Sequence, residues 1–145
     1  MSMVLIVDDD LTARETLMAM LEGEGYNLQV AKDGIQALKM LEQLQPDLIL
    51  LDVMMPGMDG YEVCRRIRST PQLAEVPILL LTALDDRASL VRGIESGADD
   101  FVSKPVNKLE LLTRVKSLLR VRHMKSELER ALTYLNEIEH DDEVL

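Results

Sequence analysis

Five short apolar runs, each followed by an amphipathic stretch of helical spacing, fill the first 120 residues of this 145-residue chain. The runs are "MVLIV" (3–7), "NLQVA" (27–31), "DLILLD" (47–52), "VPILLLTA" (76–83) and "DFVS" (100–103). The third is apolar without alternation, as a central strand covered on both faces must be. Between the runs, Ala13, Leu17, Met20 and Leu21 recur at helical spacing, with Gly23 or Gly25 as the stop signal. "DGIQALKMLEQL" (33–44) predicts a second helix with Ile35, Leu38 and Leu41 on one side, its end marked by Pro46. Tyr61, Cys64 and Ile67 mark a third helix, Leu90, Val91 and Ile94 a fourth, and Leu112, Val115 and Leu119 a fifth that begins after "KPVN". Five strand–helix repeats with short connections imply a doubly wound parallel α/β sheet with right-handed crossovers.

In such sheets the functional crevice lies beyond the carboxyl ends of the strands. Asp8 and Asp9 end the first strand, Asp52 the third and Thr82 the fourth, and Lys104 follows the fifth. Every one of these chemically able groups therefore belongs to the same rim. Carboxylates ~4 Å apart repel by about 4 kcal/mol at an effective dielectric near 20, so a cluster of acids calls for a positive charge. A site of Asp8, Asp9 and Asp52 offers hard oxygens suited to Mg2+, which one or two carboxylates, waters and a phosphate commonly hold. Lys104 adds a compact cation for a phosphoryl oxygen and Thr82 a hydroxyl donor. A carboxylate in that setting is a nucleophile toward phosphorus, giving an aspartyl phosphate.

"VDDD" (7–10), "LLDVMMPGMDGYEVCRRIR" (50–68), "ILLLTA" (78–83) and "FVSKPV" (101–106) stand in one order and spacing over residues 1–120. Together they resemble the receiver domain of two-component response regulators, of the CheY-like kind. The resemblance implies a flavodoxin-like sheet of order 2-1-3-4-5 with five helices, the last extended. It also implies Asp52 as the phosphoacceptor served by a histidine kinase or phosphotransfer protein. Mg2+ would be held by Asp8, Asp9, Asp52 and the backbone carbonyl of Met54. Thr82 and Lys104 would contact the phosphoryl group, with Thr82 and Phe101 as the switch pair and the Lys104–Pro105 bond cis. Phe101 stands where Tyr is frequent, so no hydroxyl acts there. Met54 and Leu84 occupy the positions that tune phosphoryl lifetime, and as apolar residues they are expected to shield it. Such a domain catalyses its own phosphorylation and slow dephosphorylation without turning over substrate, within a phosphorelay.

Other polar residues take plainer readings. Asp10 starts the first helix facing solvent, Asp59 and Gly60 are turn and helix-start chemistry, and Asp85 and Asp86 cap the fourth helix. Met54, Met55 and Met58 read as loop and core filler, Arg65, Arg66 and Arg68 as a solvated helix face, and His123 and His140 as surface histidines. The single cysteine, Cys64, has no partner for a disulfide and reads as core.

Beyond Leu119 the apolar pattern changes register: Val121, Met124, Leu128, Ala131, Leu135 and Ile138 step by three and four around "KSELER". That is a heptad seam. The division expected is a receiver over 1–120, a helical extension over 121–140 that forms a coiled coil or linker, and a frayed tail at 141–145. A homodimer would form through this helix or through the helix 4, strand 5, helix 5 face; the alternative is an extension folded back on its own domain. "LLDVMMPGMDG", "ESGADDF" and "RVKSLLR" also resemble receivers that precede cyclic-dinucleotide cyclases.

A net charge of −10 argues against nonspecific attraction to nucleic acid or anionic membrane, and aromatics at 3% with no Trp leave no base-stacking platform. No apolar run approaches a membrane span and the start lacks a signal peptide's basic flank, so a cytoplasmic location is expected. A competing reading is an aspartyl-phosphate phosphatase resembling the haloacid dehalogenases, for which Asp8-x-Asp10 supplies the acid pair. The chain has no cap domain for it, and Asp52 with "KP" fits a receiver better. A phosphate-independent interaction module is disfavoured by the intact set of acids, Thr and Lys.

Overall fold

The computed structural model describes residues 1–84 and 86–144, with 125–127, 130, 133–134 and 137–144 as backbone only. Asp85, the seam residue Ile138, His140 and the tail side chains, all assigned from the sequence, lie outside the described side chains. The strands are β1 (Met3–Val7), β2 (Asn27–Ala31), β3 (Leu48–Asp52), β4 (Ile78–Thr82) and β5 (Asp100–Ser103). The helices are α1 (Leu11–Leu21), α2 (Gly34–Met40), α3 (Gly60–Arg68), α4 (Arg87–Ser96) and α5 (Lys108–Val144). A short 3-10 turn, Pro71–Leu73, precedes β4. All strand pairings are parallel, in the order β2-β1-β3-β4-β5.

Side chains alternate across this sheet. Leu5, Val7, Ile49, Leu51, Ile78 and Leu80 pack toward α2 and α3. Val4, Ile6, Leu48, Leu50, Leu79 and Leu81 pack toward Leu17 and Leu21 of α1 and Leu111, Val115 and Leu119 of α5. β3 is buried along its whole length, which explains its unbroken apolar run.

In α2 the apolar side read from the sequence is covered at Leu41 and in part at Leu38, but not at Ile35. Ile35 is 68% exposed, and α2 instead buries Gly34 and Ala37, with Leu41 behind them. A Cβ on Gly34 would stand 2.6 Å from Val63 Cγ2, so the glycine is what lets α2 lie against α3. Ile94 is likewise 68% exposed and Val91 is exposed, because α4 rests on Gly93 and Ser96. Close approach through small residues sets the phase of both helices, overriding their large apolar side chains. In α5, Leu111 takes the fully buried position and Leu112 is only half-buried.

α5 runs past the sheet. Near its middle, Lys116 Nζ lies 3.6 Å from Glu24 Oε1, and Arg122 Nε lies 3.6 Å from Asp47 Oδ1. Asp47 also accepts from the backbone N–H of Met3 through its other oxygen, at 2.8 Å. From Val121 onward, Val121, Met124, Leu128, Leu132 and Leu135 are exposed. Among the described residues no helix is long and apolar enough to cross a membrane.

Candidate phosphoacceptor site

Sheet register brings the acids together. Val7 pairs with Leu51, so the next residues, Asp8 and Asp52, stand level on neighbouring strands. Thr82 pairs with Ser103, which places Lys104 one step beyond Thr82, and the Lys104 backbone N–H donates to the Thr82 carbonyl at 2.8 Å. The Lys104–Pro105 peptide is cis, as the resemblance implied.

The first turn after β1 is tightly held. Asp8 Oδ1 accepts from the Asp10 backbone N–H at 3.0 Å, and Arg14 donates to the Asp8 carbonyl at 2.7 Å. Asp10 is the exposed N-cap of α1, accepting from Ala13 N–H at 3.1 Å. That role takes it away from the acid pair of the phosphatase reading. Asp8 and Asp52 are buried and Asp9 is exposed, and each offers a carboxylate oxygen within 4.8 Å of the others.

Lys104 Nζ lies 3.0 Å from Asp52 Oδ1 and 3.3 Å from Asp8 Oδ2. Burial pushes the Asp52 carboxyl up to about 6; the Lys104 hydrogen bond opposes this, and the Asp8 charge adds to it. For Lys104 burial works against the charged form, but its contacts with Asp52 and Asp8 prevail and its pKa is raised. One ammonium cannot neutralise three gathered carboxylates, so the set fits a hard divalent cation in charge and donor type.

Thr82 is buried, but its Oγ1 accepts from the Leu84 backbone N–H at 2.8 Å and lies 3.3 Å from the Leu84 carbonyl. The hydroxyl is therefore engaged with its own loop. Phe101 is half-buried and borders a cavity of about 110 Å3 with Thr82, Tyr61, Leu80, Leu90 and Gly93. Met54 is 60% exposed and its backbone N–H works to lower the Asp52 pKa, while Leu84 is half-buried. A Cβ on Gly60 would collide with the Asp52 carbonyl, so this glycine allows α3 to start directly against the acceptor strand.

Asp59 and Asp86 are the N-caps of α3 and α4, Cys64 is fully buried, and His123 is exposed, as expected. Met55 is buried and Met58 packs on the core. Arg65 and Arg66 lie on an exposed face, paired with Glu62.

Arg68 corrects the sequence reading. It donates to the carbonyls of Gly97 (2.7 Å), Ala74 (3.1 Å) and Val76 (2.6 Å) and to Asp99 Oδ2 (2.8 Å). Its signal was its helical phase, since residues 61, 64 and 68 share one face of α3 and the first two are buried.

A parallel sheet that collects acids, a lysine and a threonine at its carboxyl rim defines a phosphoacceptor class of signalling domain. The chain belongs to the response regulator receiver domain family, whose model matches residues 4–116. It is 48% identical over 117 residues to "Response regulator MprA" of Mycobacterium leprae, covering 81% of this chain and 50% of that protein. It is 46% identical over 129 residues to "Response regulator PleD" of Caulobacter vibrioides, covering 88% of this chain and 28% of that one. The chain thus spans half or less of the length of these curated relatives. Among solved structures, the signal receiver domain of a Syntrophus aciditrophicus histidine kinase is 42% identical, with a TM-score of 0.78 and coverage of 83% and 91%. A receiver domain of a Pseudomonas aeruginosa sensor histidine kinase, with a magnesium ion coordinated in its active-site cleft, is 31% identical. Its TM-score is 0.76, with coverage of 81% and 97%.

Proposed function

We propose that Asp52 accepts a phosphoryl group from a phosphohistidine of a histidine kinase or phosphotransfer protein, and that the modified domain controls an output. A carboxylate oxygen of Asp52 attacks phosphorus, the donor's N–P bond breaks, and the imidazole leaves with the electron pair and takes up a proton. The ion we assign is Mg2+, held by Asp8, Asp9, Asp52 and the Met54 carbonyl; when bound it neutralises charge on the phosphoryl oxygens. Lys104 holds a phosphoryl oxygen from the opposite side. The observation that carries this reading is the approach of Lys104 to both Asp52 and Asp8 within one acid cluster.

Phosphorylation adds about −1.5 to −2 charges at the rim. Thr82 turns its hydroxyl from Leu84 to the new oxygens, Phe101 repacks toward the cavity beside it, and the surface of α4, β5 and α5 changes. Met54 and Leu84 shield the phosphoryl group from water. The receiver occupies 1–120, and the extension over 121–140 pairs with a second copy or leads to an output module. The similarity to PleD, which reaches further along this chain than that to MprA, supports a role for the extension. A cytoplasmic location suits such a kinase partner.

The test is Mg2+-dependent labelling by a small acyl phosphate, with size-exclusion mass measurement before and after. We expect one phosphoryl group per chain, lost in Asp52→Ala. Persistent labelling of the variant would overturn the assignment.

A further inference from the structure

α4 is the helix with the weakest apolar attachment. It buries Gly93 and Ser96 alone, whereas α3 buries Tyr61, Val63, Cys64 and Ile67 and α5 buries Leu111, Val115 and Leu119. The cavity of about 110 Å3 lies beneath it, between Leu90, Ile94 and Tyr61. Burial of apolar area cannot be what fixes its position. Polar contacts from α3 do so, at two places of different character.

At the amino-terminal half of α4, Tyr61 Oη donates to the Ser89 carbonyl at 3.2 Å. One turn on, the Arg92 guanidinium stacks 4.5 Å from the centre of the same ring, and its Nη2 stands 3.7 Å from Asp59 Oδ2. Arg92 and Asp59 are both exposed enough for water to compete. At the carboxyl-terminal end, Arg68 donates to the carbonyl of Gly97, the left-handed C-cap at φ +103°, from within its network with Ala74, Val76 and Asp99. Gly97 admits no Cβ, which would stand 2.6 Å from Arg68 Cγ. Ser96 adds a buried bond to the Gly93 carbonyl at 2.7 Å.

We propose that α4 is hinged: Arg68 and Gly97 form a fixed pivot, and Tyr61 with Arg92 forms a breakable latch that holds its amino-terminal half against α3. Release of the latch swings the start of α4 outward, and Ser96 and Gly97 stay in place. The loop entering that half begins at Thr82, so the device couples the rim to the α4 surface; in this role it rests on the receiver reading above. Residues 59, 61 and 92 are positioning residues and touch no reacting group.

The test is amide hydrogen exchange on the full 145-residue chain, first with Asp52→Asn as the common background, so that the outcome does not depend on which acid is labelled. Arg92→Ala and Tyr61→Phe should each speed exchange of amides 90–92 about two- to fivefold, the loss expected for one cation–π contact or one hydrogen bond, and leave 95–97 unchanged. Arg68→Ala should speed exchange at 95–97. Unchanged exchange in both latch variants, or an equal rise along the whole helix, would overturn the proposal. Failure of Asp52 labelling would overturn the receiver assignment and leave the hinge standing.

Discussion

Lys104 and Asp52 meet at 3.0 Å although one strand, β4, separates the elements that carry them, and the same ammonium lies 3.3 Å from Asp8. Removing it strands two buried carboxylates side by side. Lys104→Met should lower unfolding stability at pH 7.5 by about 1–3 kcal/mol, the cost of leaving a buried group without its partner. Millimolar Mg2+ is expected to restore part of the loss, since a cation held by the folded acid cluster and not by the unfolded chain stabilises the fold. Urea denaturation with and without Mg2+ measures both; a variant insensitive to Mg2+ would count against the metal assignment.

Asp52 makes stability depend on pH in an unusual direction. Its folded pKa of about 6 stands above the ordinary 3.8, so the folded state binds this proton more tightly than the unfolded one. The contribution is fully present below about pH 4 and is lost as pH rises through about 6, a swing of order 3 kcal/mol at ~1.36 kcal/mol per unit. Asp52→Asn in a metal-free buffer should therefore be more stable than the parent chain at pH 7, the difference vanishing near pH 4. Denaturation midpoints across that range report it; a variant less stable at pH 7 contradicts the sign.

Met54 is an exposed apolar side chain two residues beyond Asp52. Met54→Asn gives an attacking water a hydrogen-bonding partner there. Phosphoryl loss should quicken roughly fivefold, about 1 kcal/mol off the barrier. The decay of acid-quenched phosphoprotein measures it, and an unchanged half-life would remove Met54 from the set that controls lifetime.

Arg68 serves three carbonyls and a carboxylate at once. Arg68→Ala should cost about 2–4 kcal/mol, through acceptors left unpaired at the junction of α3, α4 and β4. Arg68→Lys should recover little, since a single ammonium cannot serve four acceptors in different directions. Thermal or urea unfolding of the two variants provides the comparison.

The strands and the rim were readable because their signals are local. "DLILLD" allows little but a central strand, and a parallel sheet sends the residues at its carboxyl ends to one place. The positions of Asp8, Asp52, Thr82 and Lys104 followed from that alone. What the pattern does not show is which residue makes the closest contact: Ile35 groups with Leu38 and Leu41 because periodicity weights large apolar residues, whereas Gly34 lies at the contact with α3, where the absence of a side chain matters. Arg68 was missed because its charge suggested solvent; its neighbours on α3, Tyr61 and Cys64, mark the side that turns inward.

The length of α5 has a mechanical consequence. Arg122 pairs with Asp47 beside the sheet, and the helix continues from there to Val144. The stretch from Arg122 to Val144 is about 33 Å long at ~1.5 Å per residue. Tilting its base by about 10° would carry the far tip through roughly 6 Å over that length. A modest adjustment at the base of the helix is thus magnified with distance along it.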